Sequence, residues 1–335
     1  MIANHCDCKE VAHAGTKYAI GNFRIPSVSW IRFQSHGNYN NETLKMTQQQ
    51  ETQNSLPPQT QTKPGLESEM TPRPEYMANE YRGSDKLKDK VAIITGGDSG
   101  IGRSVAVLYA REGADVAIIY LPAEQSDAEE TKLAVESEGR QALLIAGDIT
   151  SAEFCREAVT RTVKEFKKLD ILVNNAAYQQ THDCVEDISD EEWALTFQTN
   201  IFGYFYMVKA CLPHMKEGAA IINCGSITGL DGSKTLVDYA STKGAIHAFT
   251  KSLALNLADR KIRVNCVAPG PIWTVLQPVS KPADRVAQHG QKTPMKRAGQ
   301  PQEVAPAFVF FASQVDSSYI SGEVFTILGG QTRAS

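Results

Sequence analysis

The 335-residue sequence has a formal net charge of −4, with 42% hydrophobic and 21% charged residues, an ordinary balance for a globular protein. Its charge provides no basic surface for nucleic acid, and no apolar run approaches the roughly 20 residues that a membrane-spanning helix needs. The seven cysteines are scattered and odd in number, so we expect reduced thiols and a cytoplasmic protein. The stretch from His5 to Cys8 holds metal-ligating residue types, but no further ligands follow at zinc spacing, so no metal site is predicted.

The first 86 residues differ from the rest of the chain. Residues 1–45 show no periodicity and no apolar signal-peptide core, which predicts an unstructured leader. This leader is either a weak organelle-targeting segment or an extension upstream of a true start at Met46. Residues 46–86 are rich in Gln, Thr and Pro and predict a disordered or surface-draped arm that is dispensable for the chemistry. We place the globular domain at residues 87–335.

Strand and helix patterns alternate regularly from there on. The predicted strands are 91–95, 115–120, 141–146, 171–174, 220–224, 263–268 and 324–328. The predicted helices are 101–112, 124–138, 151–168, 189–216, 237–259 and 303–313. Such alternation, with short strands that are almost continuously apolar, predicts an α/β fold in which helices cover both faces of a parallel sheet. The expected fold is therefore a single-domain, doubly wound, Rossmann-type sheet of seven strands.

A glycine cluster joins the first strand to the first helix. Gly96 permits a tight turn, Gly100 leaves no Cβ where a pyrophosphate must approach, and Gly102 lets the helix pack closely on the strand. The free N–H groups at the N-terminus of a helix favour a phosphate ligand. The cluster predicts a dinucleotide site, although an ordinary strand-to-helix turn would also explain glycines here.

A second set of residues carries acid–base chemistry. Tyr239 and Lys243 share one helix face at i and i+4, so we expect the ammonium to lower the pKa of the phenol and make it a proton donor or acceptor. Ser226 ends strand five at the ligand-binding edge, where its hydroxyl can meet a substrate oxygen or simply cap the strand exit. Asn174 can line a cofactor or tie two strand ends together. Asn200 is a poor mid-helix residue, which indicates a local kink or an ordinary polar position.

These motifs occur in one order along the chain: Thr95-Gly96-x-x-x-Gly100-Ile101-Gly102, Asn174-Asn175-Ala176-Ala177, Asn200, Ser226, Tyr239-x-x-x-Lys243 and Val267-Ala268-Pro269-Gly270. The order resembles the classical short-chain dehydrogenase/reductase family over residues 87–330. The resemblance implies catalysis by Ser226, Tyr239 and Lys243, with Asn200 completing a proton relay through water. It also implies that the cofactor contacts Thr95, Gly96, Ser99, Gly100, Ile101, Gly102, Tyr120, Asp148, Ile149, Asn174, Ala176, Tyr239, Lys243, Pro269, Gly270, Ile272 and Thr274. The family usually has Gly at the position of Ala177, a difference of one methyl group.

Further motifs resemble one branch of that family, which contains bacterial general stress proteins and plant NADPH-dependent aldehyde reductases. They include Lys63-Pro64-Gly65, Tyr81-Arg82-Gly83-Ser84 and the run from Thr293 to Pro301. The resemblance implies hydride transfer between a nicotinamide and a small aldehyde, ketone or alcohol, with carbonyl reduction favoured. It also implies a homotetramer that assembles through helices 189–216 and 237–259. The alternatives are a polyol or sugar dehydrogenase and, in a different class, a non-catalytic dinucleotide sensor.

The choice of cofactor depends on the end of strand two. Tyr120 stands there, and no acid among its neighbours would repel a 2′-phosphate. No attractive base is evident either, because the glycine loop has Ser99 and we expect Arg103 to point away from the site. With the branch resemblance added, the sequence predicts that NADP(H) is favoured or that both NADP(H) and NAD(H) are used.

Overall fold

One parallel sheet organises the computed structural model, which describes residues 56–332. The strands are β1 (Val91–Thr95), β2 (Asp115–Tyr120), β3 (Ala142–Ala146), β4 (Ile171–Asn174), β5 (Ala220–Cys224), β6 (Arg263–Pro269) and β7 (Val324–Ile327). They pair in the order β3-β2-β1-β4-β5-β6-β7, and every pairing is parallel. The prediction of a doubly wound, seven-stranded sheet is confirmed.

Helices cover both faces of the sheet. They are α1 (Gly100–Arg111), α2 (Gln125–Ser137), α3 (Ala152–Phe166), α4 (Asp190–Phe197), α5 (Gly203–Cys211), α6 (Thr228–Asp231), α7 (Val237–Leu257), α8 (Ala283–Ala287), α9 (Pro301–Ala312) and α10 (Gln314–Ser317). On one face, α1, α2 and α9 pack over side chains such as Ile94 and Ile118. On the other face, α3, α5 and α7 pack over side chains such as Ile93 and Leu172. Because both faces are covered, the central strands are buried along their whole length.

The helix predicted over residues 189–216 is interrupted in its middle. A π-helical turn, Gln198–Phe202, separates α4 from α5. Asn200 lies inside this turn and is fully buried. Of the two alternatives for Asn200, the structure therefore shows the local irregularity, of the kind that often marks functional sites.

Residues 56–86 of the arm pack on the domain. Met70 is buried beside Trp273, whose indole Nε1 donates a hydrogen bond of 2.8 Å to the carbonyl of Pro72. Glu67 is fully buried against α1. The described part of the arm is therefore draped on the domain, which is the second of the two alternatives that its composition predicts. The leader predicted for residues 1–45, and the arm before residue 56, lie outside the described residues.

Within residues 56–332, none of the helices combines the length and the apolar character needed to cross a membrane.

Candidate active site

A cavity of about 660 Å³ opens at the carboxyl edge of the sheet. It lies where the chain leaves β1 for one face and β4 for the other, which is the usual ligand position in this class of fold. Most of the predicted site residues line it: Gly96, Ser99, Gly100, Ile101, Tyr120, Asp148, Ile149, Ala176, Ser226, Tyr239, Lys243, Pro269, Gly270, Ile272 and Thr274. The structure thus brings the two sequence-derived sets, the glycine turn and the acid–base residues, into one cavity.

The glycine turn is shaped as a cradle. Gly96 and Gly100 have φ values of +60° and +51°, which favour glycine over any residue with a side chain. A Cβ on Gly100 would lie 2.9 Å from the Thr274 side chain, and one on Gly102 would lie 1.9 Å from the Gly96 carbonyl oxygen. The N–H of Gly100 donates to the Glu67 carboxylate, whereas the N–H of Ile101, at the cavity wall, has no such partner. An open donor at a helix N-terminus fits the phosphate end of a dinucleotide.

Thr95, Asn174 and Gly102 are not among the residues that line the cavity, and their predicted cofactor contacts stay a prediction. The Thr95 hydroxyl accepts hydrogen bonds from the N–H groups of Asn175 and Ala176, at 2.9 and 3.1 Å. The buried Asn174 amide donates to the Asn223 side chain at 2.9 Å. Thr95 therefore fixes the loop after β4, and Asn174 ties β4 to β5, which was the structural alternative for that residue. Gly102 lets the start of α1 pack closely against the Gly96 carbonyl.

Asn200 is also set back from the cavity wall. Its side-chain oxygen accepts from the N–H of Tyr178 at 2.8 Å. Its amide donates to the Tyr178 carbonyl at 2.9 Å and to the Thr242 hydroxyl at 3.0 Å. Asn200 thereby clamps the loop after β4 onto α7, the helix that carries Tyr239, and its predicted place in a proton relay stays a prediction.

Ser226, Tyr239 and Lys243 meet at the base of the cavity. Lys243 is buried, and its Nζ donates a hydrogen bond of 2.7 Å to the Cys224 carbonyl at the end of β5. The same Nζ lies 5.3 Å from the centre of the Tyr239 ring, within the range of a cation–π contact. The Ser226 hydroxyl accepts from the N–H of Thr228 at 3.1 Å, which fixes its oxygen at the cavity wall.

The protonation of Tyr239 differs from the sequence-based expectation. Burial raises the pKa of Tyr239 well above its ordinary value, the polarity of Cys224 adds to this, and a hydrogen bond with Ser226 opposes it. Burial also lowers the pKa of Lys243. The expectation that Lys243 lowers the pKa of the phenol is therefore wrong for this structure. A phenol with a raised pKa stays protonated at neutral pH and is available as a proton donor.

Two acids that the sequence analysis missed line the cavity in the region of Tyr120. Asp98 belongs to the glycine turn, and Glu124 follows β2, where its carboxylate accepts from the N–H of Leu121 at 2.9 Å. Burial, reinforced by Asp98, raises the pKa of Glu124 to about 8. Arg103 does point away, because its fully buried guanidinium pairs with Glu67 and Asp127. No acid stands directly beside Tyr120 in the sequence, as the sequence analysis states. The fold nevertheless brings Glu124 to the same cavity wall as Tyr120.

Other residues of the cavity wall carried no site prediction, among them Lys63 and Pro64 from the arm and Lys281 and His289 from the segment after β6. Lys63 and Pro64 belong to a motif that indicated only a branch of the family, and the pattern around Lys281 and His289 is not distinctive. Only the fold shows the proximity of these four residues. Within the described range 56–332, no three His, Cys, Asp or Glu side chains cluster so as to hold a metal ion, and His5 to Cys8 lie outside that range.

Comparisons with known proteins identify relatives of this chain. A family model described as Enoyl-(Acyl carrier protein) reductase matches residues 96–332. General stress protein 39 of Bacillus subtilis is 54% identical over 276 residues, which are 82% of this chain and 96% of that protein. NADPH-dependent aldehyde reductase 1, chloroplastic, of Arabidopsis thaliana is 46% identical over 272 residues, which are 80% of this chain and 94% of that protein.

A solved structure has the same fold. The short chain dehydrogenase from Burkholderia cenocepacia, in complex with NADP, superposes with a TM-score of 0.68 at 30% identity, covering 73% of this chain and 98% of its own. The region that the family model matches contains the glycine turn, the six strands from β2 to β7 and the residues around Tyr239. The chain therefore belongs to the short-chain dehydrogenase/reductase family and is an oxidoreductase of that family.

Proposed function

We propose that the protein reduces small aldehydes or ketones to alcohols with NADP(H), and accepts NAD(H) less well. The observation that carries the proposal is the placement of Ser226, Tyr239 and Lys243 in the same cavity as the glycine turn. A non-catalytic dinucleotide sensor would have no use for this acid–base group.

The chain's own residues account for the proton half of the reaction. Bound NADP(H) or NAD(H) supplies or accepts the hydride. The Ser226 hydroxyl donates a hydrogen bond to the substrate carbonyl oxygen and orients it toward Tyr239. The Tyr239 phenol donates its proton to that oxygen as negative charge develops there, and the nearby Lys243 ammonium stabilises the phenolate that remains. Burial raises the pKa of the phenol, so Tyr239 carries the proton that carbonyl reduction needs, and oxidation of an alcohol would use the same residues in reverse.

Cofactor preference rests on two opposing observations. The plant relative named above is NADPH-dependent and the solved neighbour holds NADP, which favours NADP(H) here too. Glu124 and Asp98, however, lie near the place where a 2′-phosphate would sit, and the basic Arg103 is engaged elsewhere. Burial raises the pKa of Glu124 to about 8, so this carboxyl is mostly neutral at pH 7 and repels a phosphate little, whereas Asp98, whose pKa burial raises to about 6, is mostly ionised. The relatives favour NADP(H) and the nearby carboxyls disfavour it, so we expect a modest preference for NADP(H) over NAD(H).

We also propose assembly into a homotetramer, by resemblance to family members. Phe202 and Phe205, on the π-helical turn and α5, are 47% and 46% exposed, whereas Tyr204 between them is fully buried. These aromatics are therefore not all core, and the exposed ones provide an apolar face for a second subunit. Cytoplasmic residence is likewise a proposal, supported by the free cysteines of the described residues.

The test is a panel of aldehydes, ketones and polyols assayed with NADPH, NADH and their oxidised forms. We expect NADPH-dependent carbonyl reduction to have the highest kcat/KM. Tyr239→Phe should lower kcat by about 10²–10⁴-fold, the usual contribution of a general acid, while cofactor binding is retained. Near-normal turnover by the Phe variant would refute the role of Tyr239 as proton donor. Activity on polyols alone would show that the enzyme oxidises alcohols instead of reducing carbonyl compounds.

A further inference from the structure

Besides Lys243, two lysines line the cavity, and neither of them has a carboxylate partner. Lys63, from the arm, donates from Nζ to the side-chain oxygen of Gln180 at 2.7 Å and lies 3.8 Å from the centre of the Tyr178 ring. Lys281 lies 3.1 Å from Nδ1 of His289. Within residues 56–332, neither lysine forms an ion pair. Their hydrogen-bond partners are neutral side chains, so no carboxylate in contact with either ammonium group neutralises its charge.

The contacts of His289 define the state of Lys281. Nε2 of His289 lies 3.1 Å from the carbonyl oxygen of Ile272, which can only accept a hydrogen bond, so Nε2 carries the ring proton. Nδ1 is then an acceptor and takes a hydrogen bond from the Lys281 ammonium. Burial lowers the pKa of Lys281 to about 8 and that of His289 to about 3, so at neutral pH the lysine is charged and the imidazole is neutral. The lysine keeps further N–H donors for the cavity.

Both lysines lie at the Tyr239 end of the cavity. The Thr181 N–H and hydroxyl both donate to the carbonyl of Ser280, the neighbour of Lys281. The Gln61 N–H donates to the Pro278 carbonyl, which ties the arm to the same segment. Lys63 reaches Gln180 and Tyr178, and Asn200 clamps Tyr178 onto α7. Three loops, 61–65, 178–181 and 276–281, therefore converge beside Tyr239.

The charges of the cavity are distributed unequally. The carboxylates that line it, Asp98, Glu124 and Asp148, come from the loops that follow β1, β2 and β3. Burial lowers the pKa of Lys63 and the charges of Glu192 and Asp238 oppose this shift, but neither carboxylate contacts this lysine. The direct partner of Glu192 is His182, and Asp238 accepts a hydrogen bond from the Thr196 hydroxyl. The end near β5 and β6 holds Lys63, Lys243 and Lys281. Such a concentration of partly buried positive charge attracts an anion.

Resting on the proposed function, we propose that the preferred substrates are carbonyl compounds that carry a carboxylate, and that Lys63 and Lys281 bind that carboxylate while Tyr239 protonates the carbonyl oxygen. Both lysines contact the substrate, and neither takes part in proton transfer. The arm is thereby a part of the substrate site, which contradicts the expectation that it is dispensable for the chemistry.

The experiment compares ω-oxo acids of three to six carbons with their methyl esters, which match them in shape but lack the charge. We expect at least one acid to exceed its ester in kcat/KM by roughly tenfold or more, the size of a charge-assisted hydrogen bond. Lys281→Met and Lys63→Met should each lower this acid-to-ester ratio by about tenfold, mainly through the KM of the acid. Arg at either position should restore part of the ratio. Lys292→Met, at an exposed lysine outside the cavity, is the matched control and should leave the ratio unchanged.

A direct measurement of cofactor affinity distinguishes this proposal from the alternative that the two lysines bind the cofactor. If the Met variants raise the Kd of NADPH, measured by its fluorescence, and leave the acid-to-ester ratio unchanged, the lysines serve the cofactor and the proposal fails. Equal activity of the wild-type enzyme on acids and esters would also overturn it. Either result leaves carbonyl reduction itself intact, whereas the absence of reduction of any carbonyl would refute the proposed function instead.

Discussion

Replacing Glu67 tests whether the arm supports the glycine turn. One carboxylate oxygen of Glu67 accepts from the N–H of Gly100 at 2.5 Å, at the first residue of α1. The other lies 2.8 Å from Nη1 of Arg103, but the two are not aligned as a hydrogen bond, so this contact is Coulombic. Both side chains are fully buried. Glu67 does not line the cavity, so any effect on cofactor binding must act through the position of the turn.

The two informative substitutions differ in what they leave behind. Glu67→Ala orphans the buried Gly100 N–H and opens a void, while Arg103 retains Asp127 at 3.5 Å and Glu130 at 3.4 Å. Removing one partner of a buried pair costs about 3–5 kcal/mol, and the remaining carboxylates place this case near the lower limit, about 3 kcal/mol. Glu67→Gln keeps the volume and an acceptor oxygen. Burial raises the pKa of Glu67 to about 7, so the neutral Gln resembles the protonated form and should cost less than about 1 kcal/mol.

The pH dependence has a defined sign. The folded-state pKa of Glu67, about 7, lies above its ordinary value of 4.5, so the folded protein binds this proton more tightly than the unfolded chain. The contribution of Glu67 to stability is therefore complete below pH 4.5 and declines as the pH rises through 7. Relative to Glu67→Gln, which does not titrate, the wild-type protein should lose stability between pH 5 and pH 8.

Urea unfolding at pH 5 and pH 8 measures these differences, and NADPH fluorescence measures the cofactor Kd. We expect Glu67→Ala to lower the free energy of unfolding and to raise the Kd roughly tenfold, or about 1.4 kcal/mol, with kcat at saturation little changed. An alanine variant with normal stability and normal Kd would refute the role of Glu67. A glutamine variant as damaged as the alanine variant would show that the charge, and not the acceptor, is what matters.

Two further predictions concern the cofactor and the assembly. Because the pKa of Glu124 is about 8, its carboxyl is neutral below that pH and repels a 2′-phosphate above it, so the kcat/KM ratio of NADPH over NADH should fall between pH 6 and pH 9. Glu124→Gln should abolish this fall, and an unchanged pH profile in that variant would exclude Glu124 as its cause. Light scattering at micromolar concentration should give about four times the 36.6 kDa chain mass, and Phe205→Asp, on the exposed face of α5, should lower it. A monomeric mass for the wild-type protein would reject the tetramer.

The sheet was predictable because each strand that is buried on both faces needs an almost unbroken apolar run. β1 and β5 show such runs, and both are buried along their whole length. The long helix before β5 was predictable only in outline, because apolar spacing does not distinguish an α-turn from a π-turn. Asn200, with Gly203 beside it, was the residue that indicated the irregularity.

The site was predicted where its chemistry depends on spacing, and missed where it depends on burial. The i, i+4 spacing correctly placed Lys243 beside Tyr239. It could not show that both side chains are buried, and burial, the largest cause of each pKa shift, reverses the expected direction for the phenol. For the same reason the sequence could not show that the Asn174 amide donates to the Asn223 side chain on the neighbouring strand.

The arm shows how a polar segment can be held without an apolar core of its own. Its Gln, Thr and Pro content argued against burial, yet polar contacts hold it: Glu67 binds Gly100, the Glu67 N–H binds the Asp127 carboxylate, and Lys63 binds Gln180. Each partner lies far away in the sequence, so no local pattern indicates the pairing. Arg103, correctly expected to point away from the cofactor, points at this arm. The arm therefore touches the glycine turn through Glu67 and the Tyr239 end of the cavity through Lys63, so that a change in how it packs should affect cofactor binding and substrate choice together.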